Sequence, residues 1–306
     1  PFYRPAVQLH AYQLMQLNRD EEAEALLRQA AVHNQSGDLW SQLAAFYSET
    51  RRFDLVAECL DKAQSLYLLL DRDKTLRRWL ASRRSELAYR RGDYAEAIRL
   101  AEQIDSPYYR SIVKSLREAM ERPADETRDV LLDVKFVRQH HLTCAPATLT
   151  ALASYWRQPV DHIELAHSIC YDGTPAHEER HWAEEHGFDA REFRVTWDNA
   201  RQLIDRGVPF TLTTIGPQMG HLQPVIGYDS RRGVLLVRDP GERHHMEYRG
   251  QELLDHYSTT GPRGMTLVPI SETHRLAGLE LEDTAFYDWM HQLHRALHKH
   301  DRQAAA

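Results

Sequence analysis

The stretch Gln139-His-His-Leu-Thr-Cys144-Ala-Pro-Ala-Thr-Leu-Thr-Ala-Leu152 decides how this chain is read. From Cys144 onward, Leu149, Leu152 and Ala153 recur at helical spacing, so a helix is predicted over 144–156. Thr143 stands where an N-cap belongs, and Pro146 falls in the first turn, where its missing N–H costs little. A cysteine at such a helix start has its thiolate favoured by unpaired backbone N–H groups and by the positive end of the helix dipole. Gln139 precedes the thiol by five residues and is available as a side-chain N–H donor.

Working outward toward the C-terminus, β-branched and aromatic runs appear at 208–215, 222–228 and 234–237. The last two flank a turn at 229–233 and read as a hairpin. Gly220-His221 opens its first strand and Asp239-Pro240 follows its second. Counting back from the turn sets His221 roughly opposite Asp239, and cross-strand Cβ atoms lie about 5 Å apart. A base oriented by an acid on the next strand is half of a catalytic triad, and Cys144 supplies the nucleophile. Pro224 interrupts the strand carrying His221, which predicts an edge or a bulge there. Further helices are predicted at 161–170, 176–186 and 199–206. Helices followed by a sheet give an α+β domain over 130–270.

Toward the N-terminus the periodicity changes. Residues 1–125 read as helix after helix, with Trp40, Leu43, Ala44 and Tyr47 followed by Phe53, Val56, Leu60 and Ala63. Large and small residues alternating in this way match the tetratricopeptide pattern, in which two helices interlock. A weaker copy precedes it, with Ala25 where Val56 stands. Another follows at Gly92, Tyr94 and Ala97, with a lengthened helix expected through 66–87. Roughly three units are expected, near the minimum for a stable stack. A polar linker at 121–127 closes this half, and residues 271–306 read as a C-terminal helical extension.

Composition narrows the function. The chain has 306 residues, 42% hydrophobic and 27% charged, with a formal charge of −7 spread along its length. Without a long basic run, no nucleic-acid partner is expected. No apolar run reaches membrane-spanning length, and no signal peptide is read at the start. Three cysteines, Cys59, Cys144 and Cys170, make no disulfide framework, so a reducing, cytoplasmic setting is expected. Cys59 and Cys170 read as packing residues.

The order of residues from 131 to 268 resembles the papain-like peptidase family that trims double-glycine leaders from bacteriocin and related precursors. The resemblance runs through Gln139 and Cys144, then Ala147, Leu149, Leu152 and Tyr155, then Ala183, Gly187 and Phe188. It continues through Pro209, Gly220-His221, Val225, Gly227 and Asp239-Pro240-Gly241. It implies Cys144 as nucleophile, His221 as general base and acid, Asp239 as orienter, and Gln139 with the Cys144 N–H as oxyanion donors. The family's usual Asp-Cys-Gly is here Thr143-Cys144-Ala145-Pro146. The resemblance implies cleavage after small residues such as Gly-Gly.

The fold expected is thus an N-terminal all-α tetratricopeptide-like solenoid plus an α+β papain-like cysteine peptidase domain with an antiparallel sheet. The helical repeats would recruit a peptide substrate or a protein partner, and no cofactor or metal is expected. An inactive, leader-binding module and a thioester-based acyltransferase are the other readings of the same residues. His177-Glu178-Glu179-Arg180-His181 fits H-E-x-x-H, a zinc-protease pattern, but reads better as a solvated charged helix. His291, His294 and His298 flank an expected apolar stripe of Phe286, Met290, Leu293 and Leu297.

Overall fold

The computed structural model describes residues 3–67, 75–123, 127–216, 219–301 and 303–304. The chain divides into two compact units, residues 1–126 and 127–306.

The first unit is helical throughout its described residues. It comprises α1 (Arg4–Gln16), α2 (Asp20–Asn34), α3 (Gly37–Glu49), α4 (Phe53–Leu66), α5 (Thr75–Arg90), α6 (Tyr94–Ala101) and α7 (Pro107–Glu121). Each helix packs on the next in sequence. The reason lies in the spacing: Leu43, Ala44 and Tyr47 of α3 meet Val56, Leu60 and Ala63 of α4, all at most 4% exposed. Burying each large aliphatic side chain is worth about 1.5–3 kcal/mol.

Two expectations are corrected here. Ala25 is exposed, and the small buried position of α2 is Ala23, followed by Leu27 and Ala30. That triplet repeats the spacing of Val56, Leu60 and Ala63, so the earlier copy sits two residues from where Ala25 would set it. Nor does one long helix cover 66–87: Leu66 closes α4, Tyr67 is extended, and α5 begins at Thr75. The part of that expectation falling on 68–74 lies outside the described residues.

The second unit is built on one mixed-length antiparallel sheet. Its strands are β1 (Asp129–Leu131), β3 (Glu192–Arg194), β4 (Phe210–Ile215), β5 (Gly220–Asp229), β6 (Val234–Val237), β7 (Met246–Arg249) and β8 (Arg263–Thr266). The order is β3-β8-β4-β5-β6-β7, with β1 pairing β5 beyond the end of β4. A short separate pair joins β2 (Phe188–Asp189) to β9 (Val268–Pro269). The helices are α8 (Cys144–Tyr155), α9 (His162–Ile169), α10 (Ala176–Glu185), α11 (Trp197–Asp205), α12 (Gly250–His256) and α13 (Thr284–His298).

Each face of the sheet has its own core. Leu149, Leu152 and Ala153 of α8 pack with Ile226, Leu236 and Met265 on one side. Leu203 and Ile204 of α11 pack with Phe210, Leu212, Val225, Tyr228 and Val237 on the other. Val225 and Tyr228 share a face although only two residues lie between them, which strict alternation forbids. The break is a bulge: Val225 pairs Val237 while Gly227 pairs Leu236, leaving Ile226 as the extra residue.

β5 lies between neighbours over 225–229, but at Pro224 the β6 ladder has ended and the bulge lies two residues on, as the proline implies. Its cost is small because the carbonyl of Pro224 accepts from Arg238 N at 2.9 Å, just past the end of β6. The missing N–H faces that same side, where the ladder has already finished. Gly227 is needed for a different reason. A Cβ there would come 2.2 Å from the Val130 carbonyl oxygen, so only glycine lets β1 lie against β5.

The C-terminal helix departs from its expected stripe. Phe286 and Leu297 of α13 are exposed, and only Ala296 among its described residues is buried. Polar contacts with α10 decide its orientation instead, including Arg180 Nη1 to Asp288 Oδ1 at 2.7 Å.

Candidate active site

Cys144 is the first residue of α8, and His221 is the second of β5. The two side chains hydrogen-bond each other, and His221 Nε2 lies 3.0 Å from Asp239 Oδ2. With Nε2 engaged by the carboxylate, the thiol is left to meet the other ring nitrogen. Asp239 is fixed in turn by Gly241 N, which donates to Oδ1 at 2.7 Å.

The bulge at Ile226 is what puts Asp239 on the right side. Extending the Val225–Val237 register by two residues sets Asp239 opposite Gln223, on the face that also carries His221. Extending the Gly227–Leu236 register instead would set it opposite Pro224, on the other face. A one-residue slip turns every side chain over.

Cys144 is held by backbone as well as by His221. The Leu222 N–H donates to its sulfur, and the Leu222 carbonyl accepts from Thr148 Oγ1 at 3.0 Å. Like Pro224, Leu222 turns its polar groups to the flank of β5 left open beyond β6. Cys144 and Thr148, one helical turn apart, take the bonds that another strand would have taken.

The charges follow from these contacts. Burial pushes the Cys144 thiol up, but the hydrogen bonds from His221 and from Leu222 N–H outweigh it, and the net direction is down. His221 is raised to about 9 by its bonds to Asp239 and Cys144, against the opposing effect of burial. Asp239 is pushed up by burial yet ends below the usual carboxylate value because His221 and Gly241 N bond its charged form. All three shifts favour a thiolate beside an imidazolium.

The loop before the thiol is tied down on both sides. Thr143 occupies the N-cap position, but its hydroxyl does not cap the helix; it accepts from His140 N at 2.8 Å. The correction has a simple cause: the tight turn 140–143 claims the hydroxyl first. Leu142 sits at φ 58, a left-handed conformation that costs a branched side chain about 1–3 kcal/mol. Cys170 at the end of α9 donates to its carbonyl from Sγ at 3.3 Å. Gln139 joins the cluster through the Asp239 turn: its N–H donates to the Pro240 carbonyl at 2.9 Å. Its Nε2 lies 3.3 Å from where a Cβ on Gly241 would stand.

A second ionic group lies close enough to act on the thiol. Glu179 is buried, raises the Cys144 pKa through its charge, and accepts from Arg263 Nη2 at 2.8 Å. Arg263 also bonds Glu192 and donates to Thr213 Oγ1 at 3.1 Å. α10 is therefore not the solvated helix its composition implies, since Glu179, Trp182 and Ala183 are buried. Leu222, Thr148, Glu179 and Arg263 were given no role at the thiol from sequence. Their roles come from backbone direction and tertiary pairing, which no local spacing encodes.

Residues 131–265 match the Peptidase_C39 like family, a span that contains Gln139, Cys144, His221 and Asp239. The second unit thus carries a C39-like peptidase domain. The chain is similar to the peptidase domain of Streptococcus ComA, described as a bi-functional ABC transporter involved in a quorum sensing pathway. That likeness has 20% identity and a TM-score of 0.39, covering 44% of this chain and 98% of that one. It is also similar to a double glycine motif protease from an AMS/PCAT transporter, solved in complex with the leader peptide. There the identity is 16% and the TM-score 0.37, covering 46% of this chain and 97% of that one. No curated protein matches the chain. Among the described residues, no helix is long and apolar enough to cross a membrane.

Proposed function

We propose that the second unit is a cysteine endopeptidase acting on a leader-type peptide, with Cys144 as nucleophile, His221 as base and acid, and Asp239 as orienter. The observation that carries this reading is the run of hydrogen bonds from Asp239 through His221 to Cys144. The thiolate attacks the scissile carbonyl, and the oxyanion is received by the Cys144 N–H and the Gln139 amide. His221 gives its proton to the leaving amine, and a thioester remains on Cys144. Water, deprotonated by His221, then attacks the thioester and releases the acid and the free thiol. The absence of a side-chain cap on α8 supports the first step, because the helix's leading N–H groups stay directed at the thiolate.

The substrate class is carried over from the sequence resemblance: a peptide with small residues, such as Gly-Gly, before the cut. The helical unit is read as a tetratricopeptide-like array that recruits this peptide or a protein partner. A reducing compartment suits a reactive thiol, and no cofactor enters the reaction.

The test is incubation of the full chain with a double-glycine precursor peptide, read by mass spectrometry. Cleavage after the small pair is expected, with none in Cys144→Ala. Cleavage persisting in that variant removes Cys144 from the mechanism. Binding without cleavage by the unmodified chain identifies an inactive, leader-binding module instead.

A further inference from the structure

The contact between α10 and α13 brings together histidines that the linear sequence presents as two unrelated runs. His177 and Glu178 lie in the first turn of α10, and His298 is the last residue of α13. One ligand atom from each lies within 4.8 Å of the other two. His177 Nε2 is 3.3 Å from Glu178 Oε1, and His298 Nε2 is 4.0 Å from that same oxygen. Donor atoms around a tetrahedral zinc ion, with bonds of about 2.0–2.2 Å, stand about 3.3–3.5 Å apart. One pair is already at that spacing. The His298 side chain, 61% exposed, has room to rotate and close the rest.

A second observation points to a ligand. His177 Nε2 is buried and makes no hydrogen bond, an arrangement that costs a polar atom about 1–3 kcal/mol. The His177 ring is flanked by those of His298 and His294, with centroids 5.3 and 6.0 Å away. The nearest competing cation, Arg295, reaches Glu178 Oε1 only loosely at 3.4 Å and is tied more closely to His181 Nε2 at 2.8 Å.

We propose that His177, Glu178 and His298 bind a divalent transition-metal ion, zinc being the one whose chemistry suits two imidazoles and a carboxylate. Water or His294 completes the set. This is not the H-E-x-x-H arrangement, because His181 is turned to Arg295 and Glu185, and its place is taken by a residue 121 positions beyond His177, counting 298 − 177. The ion would pin α13 to α10, a contact that otherwise buries only Ala296 among the described residues of α13. The inference stands independently of the proposed peptidase chemistry.

The experiment is zinc titration of the full chain by calorimetry, in a Cys144→Ala background so that the thiol cannot compete. One zinc per chain is expected, with affinity lowered at least tenfold by either His177→Ala or His298→Ala and unchanged by His274→Ala. His298 is exposed, so its replacement leaves the fold undisturbed and keeps the test valid. Zinc should also slow amide exchange in α13. Zero zinc bound, or an affinity that neither substitution moves, overturns the proposal.

Discussion

Two ionic clusters in the second unit make an instructive pair. One joins Cys144, His221 and Asp239; the other joins Glu179, Arg263 and Glu192. Both combine cationic and anionic groups in partly or wholly buried surroundings. In the first, the side chains of His221 and Asp239 keep 31% and 18% exposure, and the cation can give up its proton. In the second, Arg263 is sealed at 8% exposure, and burial, which disfavours its charge, is outweighed by two carboxylates. A guanidinium does not deprotonate in such a site, so that cluster moves no proton; it holds the sheet to α10 and sets a fixed charge near the thiol. Reactivity needs an ion pair whose partners still titrate. The sealed pair gives rigidity and the open pair gives chemistry.

That contrast is broken most severely at the thiol. Cys144→Ala should lower cleavage by about 10³-fold or more while leaving the thermal transition in place, read by single-turnover kinetics beside calorimetry. Arg263→Met should do the reverse. Removing one partner of a buried ion pair strands two carboxylates, at a cost of about 3–5 kcal/mol, and the drop should appear in urea denaturation. If Arg263→Met unfolds at the same midpoint as the parent chain, the sealed cluster has no structural role.

Asp239→Asn sharpens the comparison through pH. The folded pKa of His221 is raised, from 6.5 to about 9, so its stabilisation is complete below 6.5 and lost as pH rises through 9. Asp239 is shifted downward, so its contribution is present above the ordinary carboxylate value of 3.8 and is lost as pH falls through the lower folded value. The Asn variant should therefore fall furthest below the parent between pH 3.8 and 6.5, with the gap narrowing through neutrality and closing above pH 9. Cleavage near pH 7 should fall by about 10²-fold, the usual weight of general acid–base assistance. A constant stability gap from pH 6 to pH 10 would contradict this assignment of charge. The smallest expected effect belongs to Thr148→Val, which leaves the Leu222 carbonyl without its side-chain donor. About 1–2 kcal/mol of stability should be lost, with a shift of the Cys144 alkylation profile toward higher pH. An unmoved profile would show that Leu222 keeps its alignment without Thr148.

Much of this arrangement was legible in the sequence, for reasons that can be named. β4, β5 and β6 announce themselves through β-branched runs flanking a turn, and α9 through Asp161, whose carboxylate accepts from Ile163 N and Glu164 N. Cys144 and His221 stood out because each lies at the opening of such an element, Asp239 because it closely follows β6, and Gln139 because it stands five residues before the thiol. β1, β7 and β8 did not stand out. They are only three or four residues long, and Arg263 in β8 finds its partners Glu179 and Glu192 far away in the sequence. The expected apolar stripe of α13 failed for a related reason, since charged partners on α10 chose which face turned inward. Backbone donors such as the Leu222 N–H are invisible to any reading of side-chain types. The Ala23 register was recoverable, had the spacing of α4 been laid over α2 residue by residue.

Ile226 has a consequence for anyone who would redesign this hairpin. Because one surplus residue sets the parity of everything downstream, the β5–β6 connection works as a reading frame written in backbone. Straightening the bulge with every residue kept would set position 239 opposite Pro224 and aim its carboxylate away from the imidazole it serves. Deleting Ile226 would instead keep 239 opposite Gln223 and remove only that side chain from the core against α8.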